Sequence, residues 1–219
     1  MILSRGRFAP WLALASVALA ILVAWSFGVG RFPVAASDVV RALWSALTGA
    51  DSGIAKNVEA VVLQVRGPRI AGALAVGAAL AAAGAAFQGL FKNPLVSPDI
   101  LGVTAGCALG AGIAILFSLP MGAIQALAFA GGLIAVGLVV VVGTWIGGRD
   151  PILTLVLTGV VVGSLFGAGI ALVKYIADPY NQLPAITFWL MGSFASAAHT
   201  EVRSLLPAVA LSLVVLIAL

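Results

Sequence analysis

Charge is what this sequence has least of. Aspartate, glutamate, lysine and arginine make up 8% of its 219 residues, against about 25% in an ordinary soluble domain. Eleven basic and seven acidic side chains are too few to coat a globule of this size in water. The acids are Asp38, Asp51, Glu59, Asp99, Asp150, Asp178 and Glu201, and none lies inside a long apolar run. An intramembrane proton relay is built from ionisable groups in mid-span, so these residues do not supply one. The single cysteine, Cys107, excludes an intramolecular disulfide and a thiolate metal cluster, and in an apolar run it is a small packing residue. The single histidine, His199, excludes a histidine metal cluster within one chain, and with Glu201 and Arg203 beside it belongs to a solvated loop. There is no Walker-type glycine-lysine loop for ATP, no paired carboxylates and no nucleophile motif, so the chain does not read as an enzyme. The net charge of +4 sits in segments flanking the apolar runs, where it marks membrane-adjacent loops and not a nucleic-acid surface.

What is present is apolar sequence in long blocks: 63% of residues are hydrophobic. Phe8 to Gly30 carries no charge and is longer than the roughly 7–15 residues of a signal-peptide core, so it reads as a first span and not a cleaved leader. The charge-free run from Ile100 to Gly148 is too long for one span, and Leu119-Pro120-Met121-Gly122 divides it. Taken in order, the blocks predict about six spans, at 9–27, 68–90, 100–118, 122–147, 152–176 and 200–219. Pro68 is placed to open the second, and Ser97 and Asp99 to cap the third. Between the first two spans, Val39, Val40, Leu43, Trp44 and Leu47 recur at helical spacing, predicting an amphipathic helix capped near Ser37-Asp38, stopped at Gly49, and lying on the membrane or on the protein. Pro184 to Phe194 is apolar but far below spanning length, which predicts a short re-entrant or interfacial helix. The fold class is therefore all-α, a polytopic transmembrane bundle in a single domain over 1–219.

Two features go beyond span counting. Gly102, Gly106 and Gly110 lie at successive i+4 positions, as do Gly159, Gly163 and Gly167. Small residues at that spacing allow helix backbones to approach closely in lipid, where no hydrophobic force drives helices together. The second feature is the stretch from Arg66 to Gly110. Two arginines bracket Pro68, an uncharged helix runs to Phe91, a punctuated loop Lys92-Asn93-Pro94-Leu95-Val96-Ser97-Pro98-Asp99 follows, and apolar sequence resumes at once. Gln88 is polar where lipid would be expected, so it faces protein or a water-filled path.

This stretch resembles the FecCD-type permeases, the membrane subunits of ATP-binding-cassette importers for iron-siderophores, haem and cobalamin. The matching residues are Arg66, Pro68 and Arg69, then Gly77, Gly84 and Gln88, then Asn93, Pro94, Leu95, Pro98, Leu101 and Gly102. Phe188-Trp189-Leu190-Met191-Gly192-Ser193 resembles a second segment of the family. The resemblance implies a ten-span fold, of which this chain holds the first six, in the cytoplasmic (inner) membrane of a prokaryote. It implies a homodimer with the pathway at the dimer interface, two ABC ATPase subunits that hold ATP and magnesium, and an extracytoplasmic substrate-binding protein; no cofactor or metal is expected in this chain. Arg66 and Arg69 would dock the binding protein. Asn93, Leu95 and Asp150 would form a cytoplasmic gate, and Gln88, Trp189 and Met191 the pathway and its outer gate.

The family's coupling segment follows span six and spans seven to ten follow that, so the chain is expected to be part of a longer or split permease. The implied orientation leaves seven basic residues outside (Arg31, Arg41, Lys56, Arg66, Arg69, Lys174, Arg203) and four inside (Arg5, Arg7, Lys92, Arg149), the reverse of the usual positive-inside bias. The cargo expected is an iron-siderophore or related metal-chelate, with haem, cobalamin, molybdate or tungstate as alternatives. A secondary transporter or channel, or a non-functional permease fragment, are the competing readings. Neither mid-span charges nor paired broken helices favour the secondary transporter or channel.

Overall fold

The computed structural model describes residues 5–94, 96–147, 151–195 and 197–218. They form α1 (Arg5–Gly28), α2 (Ala36–Thr48), α3 (Lys56–Ala60), a π-helical segment (Val61–Arg66), α4 (Gly67–Phe91), a 3-10 turn (Pro98–Leu101), α5 (Val103–Leu116), α6 (Met121–Ile146), α7 (Pro151–Ile176), α8 (Gln182–Met191) and α9 (His199–Ala218). No strand occurs among the described residues. Among the described residues, five helices are long and apolar enough to cross a membrane: Ala9–Gly28, Lys56–Phe91, Met121–Ile146, Pro151–Ile176 and His199–Leu216.

Burial runs inside out relative to a soluble protein. The buried positions of α5 are Gly106, Ala108, Ala111, Gly112 and Ala114. Large apolar side chains point outward instead, among them Phe129, Leu133 and Val141 on α6 and Leu157, Val161 and Leu165 on α7. Such a surface is stable only in hydrocarbon, where small residues pack the helices and large ones meet lipid. The chain is a multi-pass, all-helical membrane protein.

Two span boundaries differ from expectation. Pro68 does not open a helix: α3, the π segment and α4 run as one helix of 36 residues. Proline lacks an N–H and its ring collides with the carbonyl four residues back in a regular α-helix. The helix accommodates it by widening just before, so that the N–H of Gly67 donates to the carbonyl of Val62, five residues back, and the Pro68 side chain is fully buried. The third predicted span is also shorter than expected. Pro98–Leu101 is a separate 3-10 turn and α5 has 14 residues, about 21 Å, below the thickness of a hydrocarbon core. Ser97 makes no side-chain cap, and Gly102 in a left-handed conformation (φ 70°) forms the junction into α5. The amphipathic helix lies where expected and ends at left-handed Gly49 (φ 73°), but Ala35 and not Ser37 or Asp38 stands at its N-cap.

The chain divides into two compact units, Met1–Ala79 with Phe194–Leu219, and Leu80–Ser193. In the first, Phe27, Val39, Ala42 and Val62 form the core, supported by Val23, Leu43, Ile54 and Ile70. In the second, α5, α6 and α7 pack on one another and carry the 3-10 turn at one end and α8 at the other. Phe91, Val96, Leu101, Ala135, Val139 and Val162 make up the first of its clusters. Val173, Ala177 and Ile186 make up another.

Candidate functional site

The loop after α4 is held by the end of the helix it leaves. Lys92 adopts a left-handed conformation (φ 49°), which turns the chain out of the helix. The backbone N–H of Asn93 then donates to the carbonyl of Gln88 at 3.2 Å. Gln88 Nε2 donates in turn to the carbonyl of Pro94 at 3.2 Å. One residue thus serves the loop twice, once as backbone acceptor and once as side-chain donor. Val96 and Leu101 bury in the α6–α7 core with Phe91, and Phe87 stacks on Phe91 at 5.9 Å between ring centres. Asn93 is left exposed at the surface of this anchored turn. Leu95 and Asp150, the other two expected gate residues, and Arg149 lie outside the described residues.

The second predicted segment lies at the other end of the same unit. Asp178 Oδ2 accepts from the backbone N–H of Asn181 at 2.8 Å and from its side-chain nitrogen at 3.0 Å. Gln182 accepts from the Asp178 N–H at 3.0 Å and donates to the last-turn carbonyl of Leu116 at 2.7 Å. This links α7, α8 and the end of α5, a role for Gln182 that its sequence context did not signal. Trp189 is half-buried against Ala111, Ala114, Ile124 and Ala128. Met191 is exposed. The Asn93 loop meets α7 near Val162 and α8 meets it near Val173, eleven residues further along, an axial offset of about 16 Å. The structure therefore brings Gln88 to Asn93, and places Trp189 and Met191 apart from both.

The two arginines of the first unit have different environments. Arg66 is buried, with 8% of its surface exposed. Its guanidinium donates from Nη1 to the carbonyl of Phe27 and from Nη2 to that of Phe32. Phe27 lies in the last turn of α1, where carbonyls have no helical partner, so Arg66 closes that end and pins the following loop. Gly30 leaves room for the guanidinium: a Cβ on it would stand 2.6 Å from Arg66 Nη2 and would displace it. Arg66 is thus buried where a surface position was expected of it, with its donors facing backbone. Arg69 is exposed and donates through Nη2 to the carbonyl of Ala195. Close by, His199 Nε2 donates to the carbonyl of Leu63 at 2.9 Å, and Glu201 Oε2 accepts from the N–H of Ala198 at 3.3 Å at the start of α9.

The glycine rows meet particular partners. A Cβ on Gly106 would stand 2.7 Å from Ala135 Cβ. One on Gly110 would run into the carbonyl of Leu127, and one on Gly131 into that of Gly106. Gly102 faces Gly163 and Gly159 faces the carbonyl of Ile100, while nothing lies within 4 Å of a Cβ on Gly167. Gly131 and Gly132 on α6 complete the α5–α6 contact, and their adjacency hid them from a search for fourfold spacing.

The fold and these sites define a polytopic helical membrane protein with an anchored polar loop at one end of a glycine-packed unit. The chain belongs to the FecCD transport family, which it matches over residues 18–219. It is 38% identical over 179 residues to the molybdate import system permease protein MolB of Haemophilus influenzae, covering 82% of this chain and 52% of that protein. It is 34% identical over 218 residues to the cobalamin import system permease protein BtuC of Halobacterium salinarum, covering 94% and 58%. The hemin transport system permease protein HmuU of Yersinia pestis is 33% identical over 201 residues, covering 88% and 56%. A solved structure described as an inward-facing conformation of a metal-chelate type ABC transporter superposes with a TM-score of 0.75 at 33% identity, over 92% of this chain and 59% of that one. The chain thus spans between 52% and 59% of the length of these relatives.

Proposed function

We propose that this chain is part of the membrane-spanning permease subunit of an ATP-binding-cassette importer in the cytoplasmic membrane, and that its cargo is an iron-siderophore or related metal-chelate. The observation that carries this is the family match over residues 18–219. The permease is inert towards ATP. Hydrolysis belongs to a pair of partner ATPase subunits, which hold the nucleotide and magnesium. A second copy of the permease completes the pathway, and an extracytoplasmic binding protein delivers the cargo.

Within this scheme Asn93 belongs to the cytoplasmic gate with Leu95 and Asp150. Its fixed position supports the assignment, because a gate must return to one closed geometry and the Gln88 bonds hold the turn to its helix. Trp189 and Met191 belong to the outer gate, at the opposite end of the α5–α7 unit. Arg69, exposed on the first unit, is the docking arginine for acidic residues of the binding protein. A guanidinium suits charge-assisted contact with carboxylates.

A second cargo, an oxyanion of the molybdate type, is favoured by the 38% identity to the molybdate permease. The test is ATP-dependent uptake into vesicles bearing the complete importer, with labelled ferric siderophore and labelled molybdate offered separately. Uptake of the siderophore alone supports the first cargo and uptake of molybdate alone the second. An affinity-purified protein that brings down no ATPase, with uptake indifferent to ATP, would overturn the importer reading itself.

A further inference from the structure

Helix α5 stops short of the helices it packs against. It has 14 residues where α6 and α7 have 26 each. At its C-terminal end it is level with the end of α7, for Ile115 and Leu116 pack on Val173 and Ala177. The whole shortfall, twelve residues or about 18 Å of helix, therefore falls at its N-terminal end. Contacts with α7 give the same depth. Gly102 faces Gly163, twelve residues from the start of α7 at Pro151, and the carbonyl of Ile100 faces Gly159, eight residues from it.

Trp145 marks where the bilayer begins on this side. It lies in the last turn of α6 with 92% of its surface exposed, and tryptophan concentrates at the headgroup level. Gly143 meets Leu155 of α7, so Trp145, two residues nearer the helix end, is level with Leu153. The turn from Ile100 to Gly102 then lies six to ten residues of helix below Trp145, about 9–15 Å towards the bilayer midplane. Asp99 stands between apolar runs in the sequence, yet the fold draws it to membrane depth.

The side chains of this segment sort as they do against water. Val96 and Leu101 are buried with Phe91, while Lys92, Asn93, Ser97 and Asp99 are exposed. On α6 the order is reversed, with Gly131, Gly132 and Ala135 buried and Leu133 and Val141 exposed. Non-helical backbone at membrane depth is tolerated only inside protein or along a water-filled cavity, and a carboxylate in hydrocarbon is costly. Among the described residues none is bonded to the Asp99 carboxylate. An exposed polar face with its apolar residues turned inward fits water, not lipid.

We propose that the segment from Asn93 to Gly102 is the floor of a water-filled recess in the α5–α7 unit, and that Asp99 selects by charge within it, drawing cations and repelling anions. The recess thins the barrier that a hydrophilic cargo has to cross. Its existence follows from the depth of the turn and the sorting of its side chains. That it opens to the cytoplasm rests on the gate assignment of Asn93.

The test uses the complete importer in sealed vesicles, with Cys107→Ala and no other reactive cysteine in the assembly. Ser97→Cys, Asp99→Cys, Leu133→Cys and Val141→Cys are introduced singly and treated with membrane-impermeant thiosulfonates, cationic or anionic, from either side. The thiolate is the reactive form and needs water, so the two turn positions should react at least about tenfold faster than the two on α6. Leu133 lies deeper than the turn and Val141 shallower, so depth alone cannot produce that order. In Ser97→Cys, adding Asp99→Asn should lower the ratio of cationic to anionic rates by about fivefold, the scale of one charge acting across several ångströms of water. Turn positions no faster than Leu133→Cys overturn the recess, because hydrocarbon or other polypeptide then covers the turn. A ratio unchanged by Asp99→Asn overturns the charge role. Fast reaction from the extracytoplasmic side alone supports the recess and overturns the cytoplasmic gate reading.

Discussion

His199 Nε2 donates to the backbone carbonyl of Leu63 across 136 residues of sequence, and Pro68 is the reason that carbonyl is available. In a regular helix the N–H of Gly67 would serve Leu63, but in the π segment it serves Val62. The next candidate, five residues on, is Pro68, which has no N–H. The carbonyl is orphaned by the chain's own covalent structure, and a buried or half-buried acceptor without a partner is costly. The histidine at the start of α9 supplies the missing donor and in doing so fixes where α9 begins. Arg69 of α4, bonded to Ala195, makes a second tie, to the segment that leads into α9.

The first prediction follows from that pairing. His199→Ala should lower stability by about 0.5–1.5 kcal/mol, the net worth of a neutral hydrogen bond, while His199→Gln should recover part of it. Pro68→Ala restores an N–H and should shrink the effect of His199→Ala. Thermal unfolding in detergent, run as a double-mutant cycle, reads this directly; strict additivity of the two changes would refute the coupling.

Arg66 should behave as a structural clamp. Arg66→Ala removes two charge-assisted donors, each worth about 1.5–3 kcal/mol, and should open the loop of residues 28–32 to hydrogen exchange and proteolysis. Gly30→Ala should do the same more weakly by displacing the guanidinium. A single ammonium cannot span both carbonyls, so Arg66→Lys should rescue poorly. Full protection of this loop in Arg66→Ala would be the contrary result.

The docking role proposed for Arg69 should be separable from folding. Arg69→Glu in the complete importer should reduce capture of the binding protein, with the deficit largest at low salt where charge contacts are least screened. The melting temperature should fall only slightly, since the bond to Ala195 lies at an exposed position. Undiminished capture at low salt would remove the docking role.

Helix packing should be position-specific along the glycine rows. Gly106→Ala places a methyl against Ala135 and the carbonyl of Gly131, and overpacking of this kind costs about 1–3 kcal/mol. Gly167→Ala meets open space and should be neutral or slightly stabilising in a helix. Equal melting temperatures for the two variants would contradict the α5–α6 packing described here.

Most of the helical architecture is legible in the sequence because lipid imposes a simple rule. A segment that crosses hydrocarbon must be long, apolar and internally hydrogen-bonded, and α1, α6, α7 and α9 follow from long apolar runs whose few charges lie in their terminal turns. The shortness of α8, well below a span, and the stop of α2 at Gly49 follow equally directly, from apolar length and from glycine's access to the left-handed conformation. Arg66 shows where such reasoning ends. An arginine beside an apolar run reads as surface, because burying a charge is costly; whether carbonyls stand ready to receive it depends on a loop 34–39 residues away.

The sequence by itself determined that this chain lives in a membrane, that it is helical throughout, and which loop carries the polar residues of the site. Those properties come from composition and local covalent constraint, which act on neighbours along the chain. Only the tertiary structure decided that Arg66 is a clamp and Arg69 the exposed partner, that α5 falls short of a span, that Gly131 is the counterpart of Gly106, and that His199 answers a carbonyl orphaned by Pro68. Each of these depends on a donor, an acceptor or a surface supplied by a distant segment, and no local pattern encodes which distant segment will arrive.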